Sequence, residues 1–299
     1  TSSGSNHHWF NTANGRALNL MPNQGTYQTS TSSQDFKSFN SNGFTLNATA
    51  YNTNINVNNN RYVSWGFRKA AKFHDIVTYT GTGSARTISH NLGSVPGMII
   101  VKGTDFEDDW VVYHRGIDSS APEDYRILLN DTGARADAPR FNDTAPTSTE
   151  FSVDSDTSVN GNGSNYVAYL FAHNNNDGGF GPDSEDIIKC GSYTGNTSTR
   201  PSIDLGFEPQ FLMIKRTDSA DNWYMLDTMR GIVTSAGNDT YLYANTSGAE
   251  ATVSEVLRVT ATGFQLEDDF GGWNANGGTY IYMAIRRPDM STPTVASDV

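Results

Sequence analysis

A chain of 299 residues with 36% apolar and 17% charged side chains, 28 glycines and 29 asparagines favours turns over helix interiors. That excludes a long helical bundle or coiled coil, while 15 Phe, 14 Tyr and 5 Trp supply core volume that a disordered chain lacks. The net charge of −12 repels phosphate and argues against nucleic-acid binding, and one cysteine, Cys190, excludes an intrachain disulfide or a cysteine-based zinc site.

In chain order, the first apolar runs are Trp9-Phe10, Gly43–Leu46 and Tyr62–Phe67. From residue 73 the runs become regular: Ile76–Thr80, Ala85–His90, Met98–Gly103, Trp110–His114, Arg126–Asn130, Glu150–Val153 and Asn165–His173. Each is short, rich in Ile, Val, Tyr and Thr, and bounded by Gly, Pro, Asn or Asp, which predicts an antiparallel sandwich. Met98–Val101 and Tyr166–Phe171 are apolar at consecutive positions, so they read as central strands covered on both faces. Ala249–Val259 is the one weak helix candidate. No apolar run has membrane-spanning length, so membrane insertion is not expected.

The runs repeat. Tyr79-Thr80-Gly81, Leu92-Gly93, Pro96, Ile100-Val101-Lys102, Trp110 and Arg115-Gly116-Ile117 reappear in order as Tyr193-Thr194-Gly195, Leu205-Gly206, Pro209, Met213-Ile214-Lys215, Trp223 and Arg230-Gly231-Ile232. The closing strand Tyr166–Phe171 matches Tyr280–Ile285, and Tyr62–Phe67 is a third version. Tyr62 to Tyr166 is 104 residues and Tyr166 to Tyr280 is 114; Trp9 to Trp110 is 101 and Trp110 to Trp223 is 113. The expected units are therefore an incomplete first repeat at 1–72, complete sandwiches at 73–182 and 183–290, and a tail at 291–299. The first repeat lacks the Tyr-Thr-Gly and lysine-bearing strands, so it reads as the end of a longer polypeptide or as a domain completed by a neighbouring chain.

Within this frame, Trp110 and Trp223 are expected to fill the sandwich cores, with Pro96 and Pro209 starting strands whose first N–H is not needed. Lys102 and Lys215 are expected to pack their stems and leave their ammonium groups in water. The turns before the tryptophans (Gly4–His8, Asp105–Asp109 and Asp218–Asn222) share no evident side-chain chemistry and read as solvated hairpin tips.

Three kinds of site chemistry come into question. The acidic groups Asp105, Glu107, Asp108, Asp109 and Glu267, Asp268, Asp269 contain carboxylates, but glycoside hydrolysis needs two that converge across a cleft, and neighbours along a strand point apart. Asp154, Asp156 and Asn160 offer alternate oxygen ligands of the kind calcium loops use, although the glycine is misplaced for an EF-hand and the closing Glu is missing. The counterpart loops, Leu266–Gly272 and Leu46–Asn54, do not keep that spacing. Trp273 and Tyr241, in the loop-rich last repeat, are the aromatics to consider for ligand stacking. The six histidines lack zinc spacing, and Cys190 reads as a buried thiol. No catalytic residue and no cofactor is expected, with Ca2+ the single ion in question.

The Tyr-Thr-Gly-Asn/Thr element, the Pro followed by Ile-x-x-Lys and Thr-Asp, the Asn/Asp-Trp pair and the closing aromatic strand resemble a family of repeated β-rich domains in marine bacteriophage tail-fibre-like virion proteins. These often lie beside laminin-G or concanavalin-like modules. The resemblance extends to about residue 290 and carries no catalytic or binding residues. It implies a structural and adhesive fibre or spike component at the virion surface, homo-oligomeric and, by analogy with fibres, trimeric. The implied partners are other virion proteins and a host-surface glycan or protein. A polysaccharide-depolymerising spike and a cellular surface adhesin are the alternatives.

Overall fold

The structure is a computed structural model, described here for residues 4–30, 35–47, 55–181, 184–232 and 237–287. The expected tail 291–299 lies outside the described residues, as do the junction residues 182–183 and most of the loop Leu46–Asn54. The first repeat holds β1 (Leu18–Asn19), β2 (Thr29–Ser30), β3 (Phe36–Asn40) and β4 (Gly43–Leu46). The second holds β5 (His74–Thr80), β6 (Arg86–Ser89), β7 (Pro96–Gly103), β8 (Val111–His114), β9 (Tyr125–Leu128), β10 (Ala136–Asp137), β11 (Glu150–Val153), the single turn α1 (Thr157–Asn160) and β12 (Asn165–Ala172). The third holds β13 (Ile188–Thr194), β14 (Ser202–Asp204), β15 (Pro209–Arg216), β16 (Trp223–Asp227), β17 (Asn238–Tyr243), β18 (Ala251–Ser254), β19 (Leu257–Thr260), β20 (Gly263–Leu266), α2 (Gly271–Asn274) and β21 (Thr279–Arg286).

The fold is all-β and antiparallel. In the second repeat a six-stranded sheet, β10-β9-β8-β7-β12-β5, is accompanied by the pair β11-β6. The third repeats the plan with β13-β21-β15-β16-β17-β18 and β14-β20-β19. The closing strand is central in both, and in matching register: Tyr166 lies between Gly103 and Tyr79, and Tyr280 between Arg216 and Tyr193. Pro96 and Pro209 open their strands as expected, each at a register irregularity. The helix candidate 249–259 is instead β18 and part of β19: Thr252, Val253 and the Leu257–Thr260 run alternate between covered and open faces, a period of two.

Strand alternation also divides the core. In the third repeat Leu212, Ile214, Tyr224 and Leu226 face that repeat's own sandwich, together with Phe264 and Trp273. Their neighbours Phe211, Met213, Trp223 and Met225 face the other way, into a cluster shared with the second repeat and with Leu20 of the first. The tryptophans therefore do not fill their own sandwiches. They sit between repeats, and their indole N–H groups donate to the preceding repeat, Trp110 to the Gln24 carbonyl (2.9 Å) and Trp223 to the Leu128 carbonyl (2.8 Å).

The lysines follow the same rule, contrary to expectation. Lys102 and Lys215 are fully buried. Lys102 Nζ donates to the carbonyls of Asp108 (2.8 Å) and Gly25 (3.1 Å); Lys215 Nζ donates to those of Asp221 (2.8 Å) and Thr132 (3.0 Å). Each ammonium thus joins its own turn to the preceding repeat, and the acceptors replace the water an ammonium would otherwise keep. The tips of the turns before the tryptophans stay exposed at Asp105, Glu107, Asp218 and Ala220, as expected, while their last residues are tied into the junctions: the N–H groups of Asp108 and Asp221 donate to the same Gly25 and Thr132 carbonyls.

These turns also share a clamp. Asn130 Oδ1 accepts from Trp110 N and its Nδ2 donates to Asp109; Asn245 does the same with Trp223 N and Asn222. In the first repeat Asn23 accepts from His7 N (3.0 Å) and donates to Asn6 (2.8 Å), so His7 takes the place that tryptophan holds elsewhere. The His7 ring completes the parallel, since its Nε2 donates to the Tyr243 carbonyl of the third repeat (2.9 Å). Nearby, a side chain at Gly4 would meet the Ser247 carbonyl at 2.8 Å. Contacts therefore run from second repeat to first, third to second and first to third. The repeats close into a ring rather than extending in a row.

The segment before β5 departs from the pattern of the other two repeats. Tyr62–Phe67 matches β12 and β21 in sequence but forms no strand. In the other repeats this segment is hydrogen-bonded on both sides, and among the described residues before β5 no counterpart of either neighbouring strand occurs. It runs as a strap instead, with Trp65 against Phe211 (5.5 Å between centroids) and donating to Asp227, and Phe67 against Phe171 (5.7 Å) and Phe211 (5.9 Å).

Two pH effects follow from the buried groups. Burial pushes both Lys102 and Lys215 down to about 8 from 10.5. Between those values the unfolded chain binds more protons, so stability rises with pH, by at most roughly 1.4 kcal/mol per unit per lysine. Melting followed from pH 7.5 to 9.5 should show this rise, and the Lys102→Met/Lys215→Met variant should lose it while melting lower overall. At acid pH several histidines contribute; burial holds His74 and His173 down to about 4, and His114 is shifted furthest. It is buried, Nδ1 accepts from Gly116 N (3.1 Å), Nε2 donates to the Tyr282 carbonyl (3.0 Å), and burial depresses it to about 3. The unfolded chain binds the extra proton below 6.5, so stability falls as pH drops from there toward 3. His114→Gln should show a smaller drop in melting temperature between pH 6.5 and 4.5 than the parent.

Candidate functional site

The loop containing α1 is built by a set of side-chain clamps. Asp156 caps the turn, its Oδ1 accepting from Ser158 N (2.8 Å) and Oγ (2.6 Å), and Asp154 Oδ1 accepts from Asp156 N (2.9 Å). Asn160 Oδ1 accepts from Thr82 N, and its Nδ2 donates to the Ser84 and Asp154 carbonyls. Tyr79 donates to the Val159 carbonyl, while Tyr166 donates to that of Thr157 and accepts from Gly161 N. In the third repeat Asn274, Tyr193 and Tyr280 make the same bonds: Asn274 to Asn196 N and the Asp268 carbonyl, Tyr193 to Trp273, and Tyr280 to Gly271 and Ala275. In the first, Tyr62 still accepts from Val57 N (2.8 Å).

This assigns the expected metal ligands. Asp154 and Asp156 spend oxygens on backbone N–H groups, Asn160 is a structural clamp, and the charge between the two aspartates is met by Arg140, 2.9 Å from Asp156 and 3.5 Å from Asp154. A guanidinium stands where an ion would have to, and no metal-holding group of His, Cys, Asp or Glu occurs among the described residues. Asp154 and Asp156 part company in titration. Burial raises Asp154, whereas at Asp156 the Ser158 and Arg140 interactions outweigh burial and hold it low.

Between α1 and the β8–β9 ribbon lies a notch of about 150 Å³, lined by Asp108, Asp109, Val111, Arg126, Leu128, Arg140, Asp156, Thr157 and Ser158. Two acidic elements that looked separate in sequence, the turn before Trp110 and the Asp154–Asn160 loop, meet here. Asp105 and Glu107 do not; both are exposed, and Asp105 accepts from Asn165 N. In the third repeat Glu267 pairs with Arg258 and Arg200, and Asp268 accepts from the Trp273 indole.

The matching place in the third repeat is full. Strand register makes Tyr224 the counterpart of Val111, Tyr241 of Arg126 and Tyr243 of Leu128. Along the loop, Phe270, Gly272 and Trp273 replace Asp156, Ser158 and Val159 at a constant offset of 114 residues. Tyr224 lies 4.8 Å from Trp273 and 5.1 Å from Tyr243, and Tyr241 lies 5.9 Å from Trp273. Trp273 is thus not an exposed stacking surface. It is 1% exposed, because it plugs the space between loop and ribbon from within. Tyr241 is half-buried at the edge of this cluster, and the exposed ring is Phe270, 49% accessible. The aromatic candidates and the aspartate candidates therefore occupy one location in successive repeats.

Cys190 is fully buried where β13 meets β7: a side chain at Gly97 would lie 2.7 Å from its Cβ, and burial pushes the thiol up to about 12. It is packing, not a nucleophile.

Fold and site together define an all-β ring of repeats in which a constant frame carries a differently lined groove from one repeat to the next. The chain belongs to DUF7483, a domain-of-unknown-function family whose profile spans residues 1–288 as one unit. No curated protein and no solved structure matches it.

The position of Arg140 sets an expected outcome for calcium. Melting should be unchanged within about 1 °C by EDTA or by millimolar CaCl2, whereas Arg140→Ala should lower it by about 1–3 kcal/mol of stability through the uncompensated aspartates. Differential scanning fluorimetry checks both.

Proposed function

We propose that this chain is a structural and adhesive component of a bacteriophage fibre or spike, displayed at the virion surface and contacting host glycan or protein. The observation that carries the reading is the separation between frame and lining. The asparagine, tyrosine and lysine clamps recur from repeat to repeat, while the groove changes from Asp, Arg and Val to Tyr, Phe and Trp. Chemistry on a shared scaffold keeps its reacting groups; recognition changes its lining and keeps the scaffold.

The ring suits that role mechanically. An apolar cluster shared by the repeats resists local opening, and any homotrimer would multiply weak groove contacts through effective concentration. Other virion proteins are the expected structural partners. A depolymerising spike stays as the second reading because Asp108, Asp109 and Asp156 share one notch. The ion-dependent form of a surface adhesin is the weaker alternative, given Arg140 between its candidate ligands.

Immobilised protein incubated with a panel of bacterial surface polysaccharides separates these readings. Retention of at least one polymer without release of reducing ends is expected. Release of reducing ends would replace the adhesive reading with the enzymatic one, and retention of none would remove it.

A further inference from the structure

The third repeat shows what the notch of the second repeat is shaped to accept. Tyr224 holds the strand position of Val111, and its ring packs against Trp273 and Tyr243, on the elements that correspond to the two walls of the notch. Its hydroxyl donates to Asp221 Oδ1 at 2.9 Å, and Asp221 is the counterpart of Asp108 in the notch wall. The hydroxyl also sits where Gly272 allows it. A Cβ there would lie 2.2 Å from the Tyr224 oxygen, and the counterpart of Gly272 is Ser158, again a notch residue. The chain has therefore placed a hydroxylated six-membered ring in this frame once already, with its hydroxyl on the acid of the turn before tryptophan.

We propose that the notch of the second repeat is a saccharide subsite that holds one neutral pyranose unit of a glycan, with a sugar hydroxyl donating to Asp108. This rests on the adhesive reading above and gives it a location. Size is compatible, since a volume of about 150 Å³ accepts a bare six-membered ring, and the notch is open, so the substituents of a pyranose can project out of it. Polarity agrees as well. Arg126 brings donors for the remaining hydroxyl oxygens, and the aspartates accept hydroxyl protons. Charge selects against acidic sugars, because three carboxylates (Asp108, Asp109, Asp156) face two guanidinium groups (Arg126, Arg140). The third repeat, with its notch filled, presents Phe270 and the edge of Tyr241 to a neighbouring unit of the same polymer.

The test uses the arrangement found in the third repeat. Val111→Tyr/Ser158→Gly should seat a tyrosine ring in the second-repeat notch as Tyr224 sits in the third, closing the site with the fold intact. Saturation-transfer NMR on the full chain would use the methyl pyranosides of glucose, galactose and mannose and N-acetylglucosamine, with glucuronic acid as the anionic control. Transfer to at least one neutral sugar is expected, falling at least tenfold in Val111→Tyr/Ser158→Gly and in Asp108→Asn, with melting temperatures within a few degrees of the parent. Because Asp108 also lies in a junction, the filled variant is the decisive one. Transfer to none of the neutral sugars overturns the proposal, as does equal transfer in the filled variant or transfer to glucuronic acid alone. Polysaccharide retention by the filled variant equal to the parent's would overturn this subsite while leaving the adhesive reading in place.

Discussion

Everything in this molecule depends on two ammonium groups that can be buried only because another repeat supplies half of their acceptors. An ammonium removed from water must have its donors met, and within its own repeat each lysine finds only the carbonyl of its own turn, Asp108 or Asp221. The second acceptor, Gly25 or Thr132, belongs to the preceding repeat. A single repeat standing alone would carry an under-satisfied buried charge and an uncovered apolar face of Trp, Met and Phe. Junction and sandwich are thereby coupled, and the repeats behave as one cooperative unit rather than as beads on a string.

Closure follows from two junctions built on lysine and tryptophan and a third that keeps only the asparagine clamp and a ring N–H. A head-to-tail contact repeated along a chain either propagates or returns to its start. Here it returns: His7 reaches the Tyr243 carbonyl with a ring N–H much as Trp110 and Trp223 reach Gln24 and Leu128. The first repeat does this without a lysine strand, using Gly4 to bring its backbone against Ser247. Its orphaned closing segment is then free to act as a strap, and Trp65 finds in Asp227, Arg230 and Phe211 the partners it cannot find in a sheet of its own.

Sequence reading was most accurate where side-chain period and turn residues decide local structure. The apolar runs Met98–Gly103, Trp110–His114 and Glu150–Val153, bounded by turn residues, coincide closely with β7, β8 and β11, and the matched landmarks align the two longer repeats. It failed where the answer depends on a partner distant in sequence. Lys102 and Lys215 look like ordinary snorkelling lysines until another repeat's carbonyls stand over them, and Trp110 looks like a sandwich core residue until strand register shows which face it occupies. The turns before tryptophan looked unrelated because the recurring side chain is not in the turn. It is Asn23, Asn130 or Asn245, on the facing segment, which supplies the same pair of hydrogen bonds to each. One signal was available and missed. Asp154 and Asn160 recur as Asp268 and Asn274 at the 114-residue offset already given by Tyr166 and Tyr280, which marks these two residues as part of the repeated frame.

That offset also explains why one location serves as a pocket in one repeat and a plug in the next. The loop is held by Asn160 or Asn274 and by paired tyrosines, none of which needs the residues that face the ribbon. Those facing residues are consequently exchangeable as a set. A large ring at the Val111 position requires a small residue at the Ser158 position, and Tyr224 with Gly272 meets that requirement. The frame thus sets the volume and the position of one acid, and the chain either fills that volume with its own aromatic ring or leaves it open. An open, charged notch beside an acid whose counterpart elsewhere accepts a phenol hydroxyl offers acceptors and donors to hydroxyl groups, and that is the physical basis of the proposed glycan-facing role.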